Sequence, residues 1–250
     1  MHSRFTILTL ILILFTVPML AQDGPPPPPE LTGDIVIEGL NGPQGLYIAE
    51  DGTLYVVDSG FGGDEETEFV NPNTFETEPA TFGITSQVVA LSTDGEQSVV
   101  AMLPSIAVGQ DFLGGARLVE VDGTLYVTVG VWISFLGDEV TIDNYSEVVS
   151  ITDGEVTSVA DFWAHELENN PDETTNLETH PYGIAAGSDG LLYVADAAAN
   201  ALISVDPATG ETATVAAFDG LPGVFPNPFR GGEAITDPVP TGVITNEDGS

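Results

Sequence analysis

Two histidines, a surplus of carboxylates and almost no cations set the chemistry open to this chain. Beyond the N-terminal leader described below, the imidazoles are His165 and His180, and the sequence has neither lysine nor cysteine. It therefore offers no thiol nucleophile, thiolate zinc site, disulfide or Schiff-base lysine. An enzyme built on it would have to work through histidine, carboxylates or a metal. The densest run of oxygen ligands is Glu166, Glu168, Asn170 and Asp172. Hard cations want several oxygens at close range, so this cluster admits Ca2+. Against that, no helix–loop–helix calcium loop is present, and Asn-Pro-Asp is also an ordinary turn signal. The sequence shows no catalytic triad and no pair of histidines at metal-ligand spacing.

The 250 residues make one large domain or two small ones. Asp and Glu number 39 against three basic residues, Arg4, Arg117 and Arg230, for a net charge of -36. Nucleic-acid binding needs several cations to displace phosphate counterions, and an anionic membrane surface needs a basic cluster. Both partner classes are excluded. Disorder is excluded too, because 42% of residues are hydrophobic, enough for a core. The acidic excess suits a saline or cation-rich habitat, where hydrated carboxylates keep a protein soluble.

The N-terminus reads as an export signal. Arg4 precedes an apolar run, Phe5 to Leu20, broken by Pro18 and followed by the small residue Ala21. The run is short for a membrane span. Residues 1–21 are expected to be cleaved off; Met19 is larger than the usual residue near such a cut, which leaves an uncleaved anchor as the alternative. Residues 22–33 follow as a linker whose prolines Pro25 to Pro29 form a stiff polyproline II spacer.

The remaining 34–250 repeat. Pro43-Gln44-Gly45-Leu46, Gly114-Gly115-Ala116-Arg117, Pro181-Tyr182-Gly183-Ile184 and Pro240-Thr241-Gly242-Val243 each stand the same distance before an Asp-Gly pair. In the first three copies a Leu-Tyr-Val strand follows, then a second apolar hairpin. Asp-Gly between short apolar runs marks a hairpin whose turn needs φ > 0. Each unit thus holds four strands, and four-stranded units repeated radially make a β-propeller. The expected fold is all-β: about three blades plus the first strand of a fourth, the ring incomplete. The chain is read as the N-terminal part of a longer protein, with Asp34 to Glu38 as the strand that completes the last blade. The acidic stretch Phe61 to Ala80 is expected to be a solvated loop, and Trp132 and Trp163 to be core residues.

In a propeller the first strand of each unit lines the central tunnel. Tyr182 aligns with Gln44, Gly115 and Thr241, and His180 precedes it, so Gln44, His180, Tyr182 and Thr241 become candidate ligand contacts at the tunnel mouth. Asp58 and Asp196 share the end of the second strand. Their oxygens either cap backbone amides between blades or hold a tunnel metal.

Gly39-Leu40-Asn41-Gly42-Pro43-Gln44-Gly45-Leu46 and Leu192-Tyr193-Val194-Ala195-Asp196 resemble NHL-type propellers. The stretches Glu166 to Asp172 before Pro181-Tyr182-Gly183, Val194 to Asn200, and Val239-Pro240-Thr241-Gly242 narrow the resemblance to the ScyD/ScyE family, over about residues 34 to 250. His180 stands where that family usually has asparagine, His165 where an aromatic is usual, and Gly115-Ala116-Arg117 replaces a more polar turn. The resemblance implies a propeller outside the cytoplasm and brings no activity with it. The expected function is an extracytoplasmic module, secreted or at the cell surface, that binds a small molecule or a protein. The alternative is a metal-dependent propeller hydrolase or lyase of the lactonase-like or amidating-lyase-like kind.

Overall fold

The computed structural model describes residues 33–71 and 74–246. The expected leader, and all of the spacer except Gly33, lie outside them. The chain divides into two units, Met1–Ile35 and Val36–Ser250, and every element described below belongs to the second.

Three antiparallel sheets follow one plan. The first contains β1 (Pro43–Ile48), β2 (Leu54–Asp58), β3 (Glu65–Val70), β4 (Thr77–Leu91), β5 (Gln97–Val108) and β6 (Asp111–Leu113), in the order β1-β2-β4-β5-β6 with β3 paired to β4. The second contains β7 (Gly115–Val121) and β8 (Thr124–Val129), then β10 (Glu147–Thr152) and β11 (Glu155–Asp161). A short strand, β9 (Trp132–Ile133), lies between β8 and β10 in the chain. A helix, α1 (Phe162–Asn169), and β12 (Glu178–Thr179), which pairs with β9, lead to the third sheet. That sheet is β13 (Pro181–Ala186), β14 (Leu192–Asp196), β15 (Ala201–Val205) and β16 (Thr212–Ala217). A separate hairpin, β17 (Leu221–Asn227) and β18 (Glu233–Thr236), follows.

The repetition extends to backbone detail. Gly52, Gly123 and Gly190 sit at φ 88°, 79° and 87° in the first turn of each sheet, which an L side chain adopts only with strain. The register shifts between Pro43 and Gly45, Gly115 and Leu118, and Pro181 and Gly183. Each first hairpin is closed by one bond: Ser59 N–H to Gly42 O at 2.8 Å, Gly130 N–H to Gly114 O at 2.9 Å, and Ala197 N–H to His180 O at 2.9 Å.

Strand alternation packs the sheets face to face. Successive side chains of a strand point to opposite faces. On β7, Leu118 joins the core shared with the first sheet, while Val119 joins the core shared with the third. On β10, Val149 and Val148 divide in the same way. The apolar interior therefore lies between neighbouring sheets, and β7 touches β1 on one side and β13 on the other. Small residues permit that approach. A Cβ on Gly45 would stand 2.6 Å from the carbonyl oxygen of Ala116, and one on Gly183 would stand 2.8 Å from Gly242 Cα. The architecture is all-β and propeller-like, and the sheets do not close into a ring among the described residues.

Some expectations change. The stretch Phe61 to Ala80 is not a solvated loop: β3 and the start of β4 form a hairpin, with Phe69 and Val70 buried at 4% and 2% exposure beside exposed Glu65, Glu66 and Glu68. The acids occupy the exposed start of β3, and the adjacent Phe69 and Val70 bury its end. The segment 240–243 reaches Gly183 as expected but forms no ladder, because the described residues hold no partner strand for it. Val36 to Gly42 likewise lacks a ladder and is tied down where Gln97 Nε2 donates to Glu38 O at 2.9 Å. Trp132 and Trp163 are buried, their indole N–H groups donating to Gly137 O and Asp138 O, both at 3.0 Å.

Candidate functional site

Three of the four residues expected at the tunnel mouth meet. Gln44, His180 and Tyr182 line one cavity of about 280 Å3 with Gly115, Phe112 and Ser59. Two of its walls start innermost strands, β1 and β13, and Gly115 starts the third, β7. The Tyr182 hydroxyl donates to Gln44 Oε1 at 2.8 Å, joining the first and third sheets across the second. Arg117 supports this bridge from β7. Its guanidinium lies 4.6 Å from the centre of the Tyr182 ring and donates to the carbonyls of Gln44 and Ala116. A cation over an aromatic face is attracted by the ring quadrupole. Thr241 is not part of this group. It lines a second cavity of about 490 Å3 along the innermost strands, with Leu46, Arg117 and Ile184.

His180 is positioned by its backbone. Its N–H donates to Asp196 Oδ1 at 2.7 Å, and its ring stands edge-on to Tyr182 at 5.1 Å and 87°. The imidazole makes no hydrogen bond with any described residue. Desolvation by the atoms packed around it pushes its pKa down to about 4, so the ring is neutral at pH 7 and presents one donor and one acceptor.

Asp58 and Asp196 act as caps. Asp58 accepts from the N–H groups of Asn41 and Gly42 and from Gln87 Nε2. Asp196 accepts from the N–H groups of His180, Ala198 and Ala199 and from the Thr179 hydroxyl.

The expected calcium cluster does not assemble. Residues two apart on a helix face nearly opposite ways, and α1 turns Glu166 inward, 1% exposed, while Glu168 lines an open cleft with His165 and Glu211. Asp172 is engaged by Arg230 at 3.1 Å, Asn200 Nδ2 at 2.6 Å and Thr174 N–H at 3.1 Å. Asn170 ends the helix in the left-handed region and donates to Thr174 O. Among the described residues no group of three or more His, Asp or Glu side chains is placed to hold a metal ion. His165 is also structural: its ring nitrogens lie 2.8 and 2.9 Å from the Thr212 and Thr214 hydroxyls, and burial lowers its pKa.

Sequence reasoning missed a buried acid network. Glu166 Oε1 accepts from the Glu178 N–H at 3.4 Å, while Glu166 Oε2 has no partner. Burial, then the neighbouring Asp196 and Asp172, raises Glu166 to about 8; burial, then Asp237, Asp172 and Asp196, raises Glu178 to about 8. Arg230, paired with Asp172 and Asp237, is the cation of this region. The signal available was Arg230 itself: an arginine in so acidic a chain points to a partly buried carboxylate partner.

No family model matches the chain, and no curated protein matches it. Two solved structures similar to it are of virginiamycin B lyase from Staphylococcus aureus, a β-propeller. One is a catalytically inactive form with quinupristin, at 10% identity over 70% of each chain and a TM-score of 0.28. The other is a selenomethionine-substituted form, at 12% identity over 70% of each chain and a TM-score of 0.26. The propeller-type, all-β architecture is carried by the repeated four-strand plan of this chain.

Proposed function

We propose that this chain is an extracytoplasmic, ScyD/ScyE-like propeller that binds a small uncharged molecule at the tunnel mouth. The observation that carries the reading is the unengaged imidazole of His180 in a cavity to which three successive sheets contribute. Pockets with a few convergent polar groups among apolar walls are the usual form of a ligand site. A neutral ring with one donor and one acceptor, beside the Tyr182 and Phe112 rings, suits a planar molecule carrying hydrogen-bonding groups. A carboxylate ligand finds no charged partner in this cavity, since no Lys or Arg lines it.

The test is ligand-observed NMR with a panel of uncharged single-ring heterocycles, followed by titration of the imidazole resonances. Binders should shift the His180 signals, and His180→Ala should weaken them about tenfold, the worth of one hydrogen bond. Affinity should be flat from neutral pH down to about 5 and fall as the imidazole protonates near pH 4. A panel without binders, or binders indifferent to His180→Ala, would overturn the reading.

Export is part of the same proposal, resting on Arg4, the apolar run and Ala21. N-terminal sequencing of protein recovered outside the cytoplasm should begin at Gln22. A cytoplasmic product beginning at Met1 would count against export.

A further inference from the structure

The hairpin of β3 and β4 stands against the segment that follows β9 and leaves a cleft of about 470 Å3 between them. That volume falls within the ~300–1,000 Å3 common for small-molecule sites. The floor is aromatic and aliphatic: Trp132 and Ile106 are 3% and 1% exposed, with half-buried Phe82 beside them. Ile84, 54% exposed, is the apolar wall a ligand would cover. The floor is fixed in advance. Trp132 is held by its bond to Gly137 O at 3.0 Å and by an edge-to-face contact with Phe69, ring centres 6.1 Å apart.

The rim has one sign of charge. Glu65 and Glu68 project from β3 and Asp143 from the opposite side, all three exposed, and no Lys, Arg or His lines the cleft. An anion is repelled by such a rim. A neutral apolar ligand gains the floor and nothing from the carboxylates. A cation with an apolar body gains both, since aromatic faces within ~6 Å of its charge also attract it. Inorganic cations lack the apolar body and meet no converging set of oxygens here.

We propose that this cleft is a second ligand site, separate from the tunnel mouth, that takes a small organic cation with an aromatic or aliphatic body. The acids of β3 would then be more than a solvated face: they select the charge of the ligand, and Phe82, Ile84 and Trp132 select its shape.

The experiment titrates the full chain with benzyltrimethylammonium, following tryptophan emission, because Trp132 lines the cleft. The comparison ligands are neopentylbenzene, in which carbon replaces the nitrogen, and phenylacetate. The cation should bind about tenfold tighter than neopentylbenzene, phenylacetate should not bind, and high salt should narrow the gap. The double variant Glu65→Gln/Glu68→Gln changes exposed residues only and should remove most of the cation's advantage over the neutral ligand, leaving the share supplied by Asp143 and the aromatic floor. A matched control, Glu96→Gln/Glu155→Gln in the outer hairpin turns, removes the same charge elsewhere and should leave binding unchanged. Equal affinity for the cation and its carbon analogue would overturn the proposal. So would equal losses in the two double variants, which would show general attraction to an acidic surface. Neither result bears on ligand binding at His180.

Discussion

Replacing Glu166 with glutamine should stabilise the fold increasingly from about pH 5 to about pH 8 and leave it unchanged below about pH 4.5. Glu166 is 1% exposed, and its pKa is raised from 4.5 to about 8, chiefly by burial and then by Asp196 and Asp172. Glu178 beside it is raised to about 8 for the same first reason. Below pH 4.5 folded and unfolded chains hold these protons alike, so the pair costs nothing. Between pH 4.5 and 8 the unfolded carboxyls ionise and the folded ones do not, so stability falls as pH rises. Above about pH 8 the folded groups ionise as well and the loss levels off.

Each unit of pKa difference is worth about 1.36 kcal/mol, so the full cost at Glu166 is on the order of 5 kcal/mol. Glu178 owes its shift chiefly to its own burial and then to Asp237, Asp172 and Asp196, so it keeps most of its cost when Glu166 is neutralised. Glu166→Gln should therefore recover the Glu166 share of the loss and leave the Glu178 share in place. Urea midpoints measured from about pH 5 to about pH 9 would show a falling limb in the parent chain and a shallower one in the variant. General repulsion among the acids also grows with pH, but losing one exposed acid, as in Glu155→Gln, should move stability by no more than about 0.5 kcal/mol. Parallel pH profiles for Glu166→Gln and the parent would show that the buried acids carry no proton in the folded state.

The blade plan was legible because it depends on local chemistry that repeats. Asp-Gly turns, alternation such as Leu118 and Val119, and the shared distance from Pro43, Gly114 and Pro181 to their turns all follow from strand geometry. The meeting of Gln44 and Tyr182 followed from the same alignment. What escaped depends on direction or on distant partners. The run Glu166 to Asp172 looked like one oxygen cluster because spacing along a sequence does not show that α1 turns Glu166 inward and Glu168 outward. The helix itself, eight residues between its Asp161 cap and Asn170, is too short to display a period. The β17–β18 hairpin contains Pro222 and Pro226, which argue against a strand. The pairing of Arg230 with Asp172 spans 58 positions and leaves no periodic trace.

Asp196→Ala should be among the most damaging single changes in the chain. The carboxylate is fully buried at the junction of β12, β13 and β14, and four donors converge on it: the backbone N–H groups of His180, Ala198 and Ala199, and the Thr179 hydroxyl. Truncation leaves all four buried or half-buried donors without an acceptor, and each orphaned group costs about 1–3 kcal/mol. Two effects offset part of this. Burial raises the Asp196 pKa, so the parent chain already bears a desolvation cost there, and a water can enter the space left behind. A net loss of about 4 kcal/mol remains. Asp58 holds the same place in the first sheet, but its donors come from exposed Asn41, half-buried Gly42 and Gln87 and, through a long contact of 3.4 Å, buried Gly60; water can reach the first three once the carboxylate is gone. Asp58→Ala should cost about half as much, and because the two sites share no partner, the double variant should show the sum. Urea midpoints of the three variants decide the matter. Equal losses at the two positions would mean that burial of the donors does not set the cost. A loss below about 1 kcal/mol for Asp196→Ala would show that the four donors find other acceptors once the carboxylate is gone.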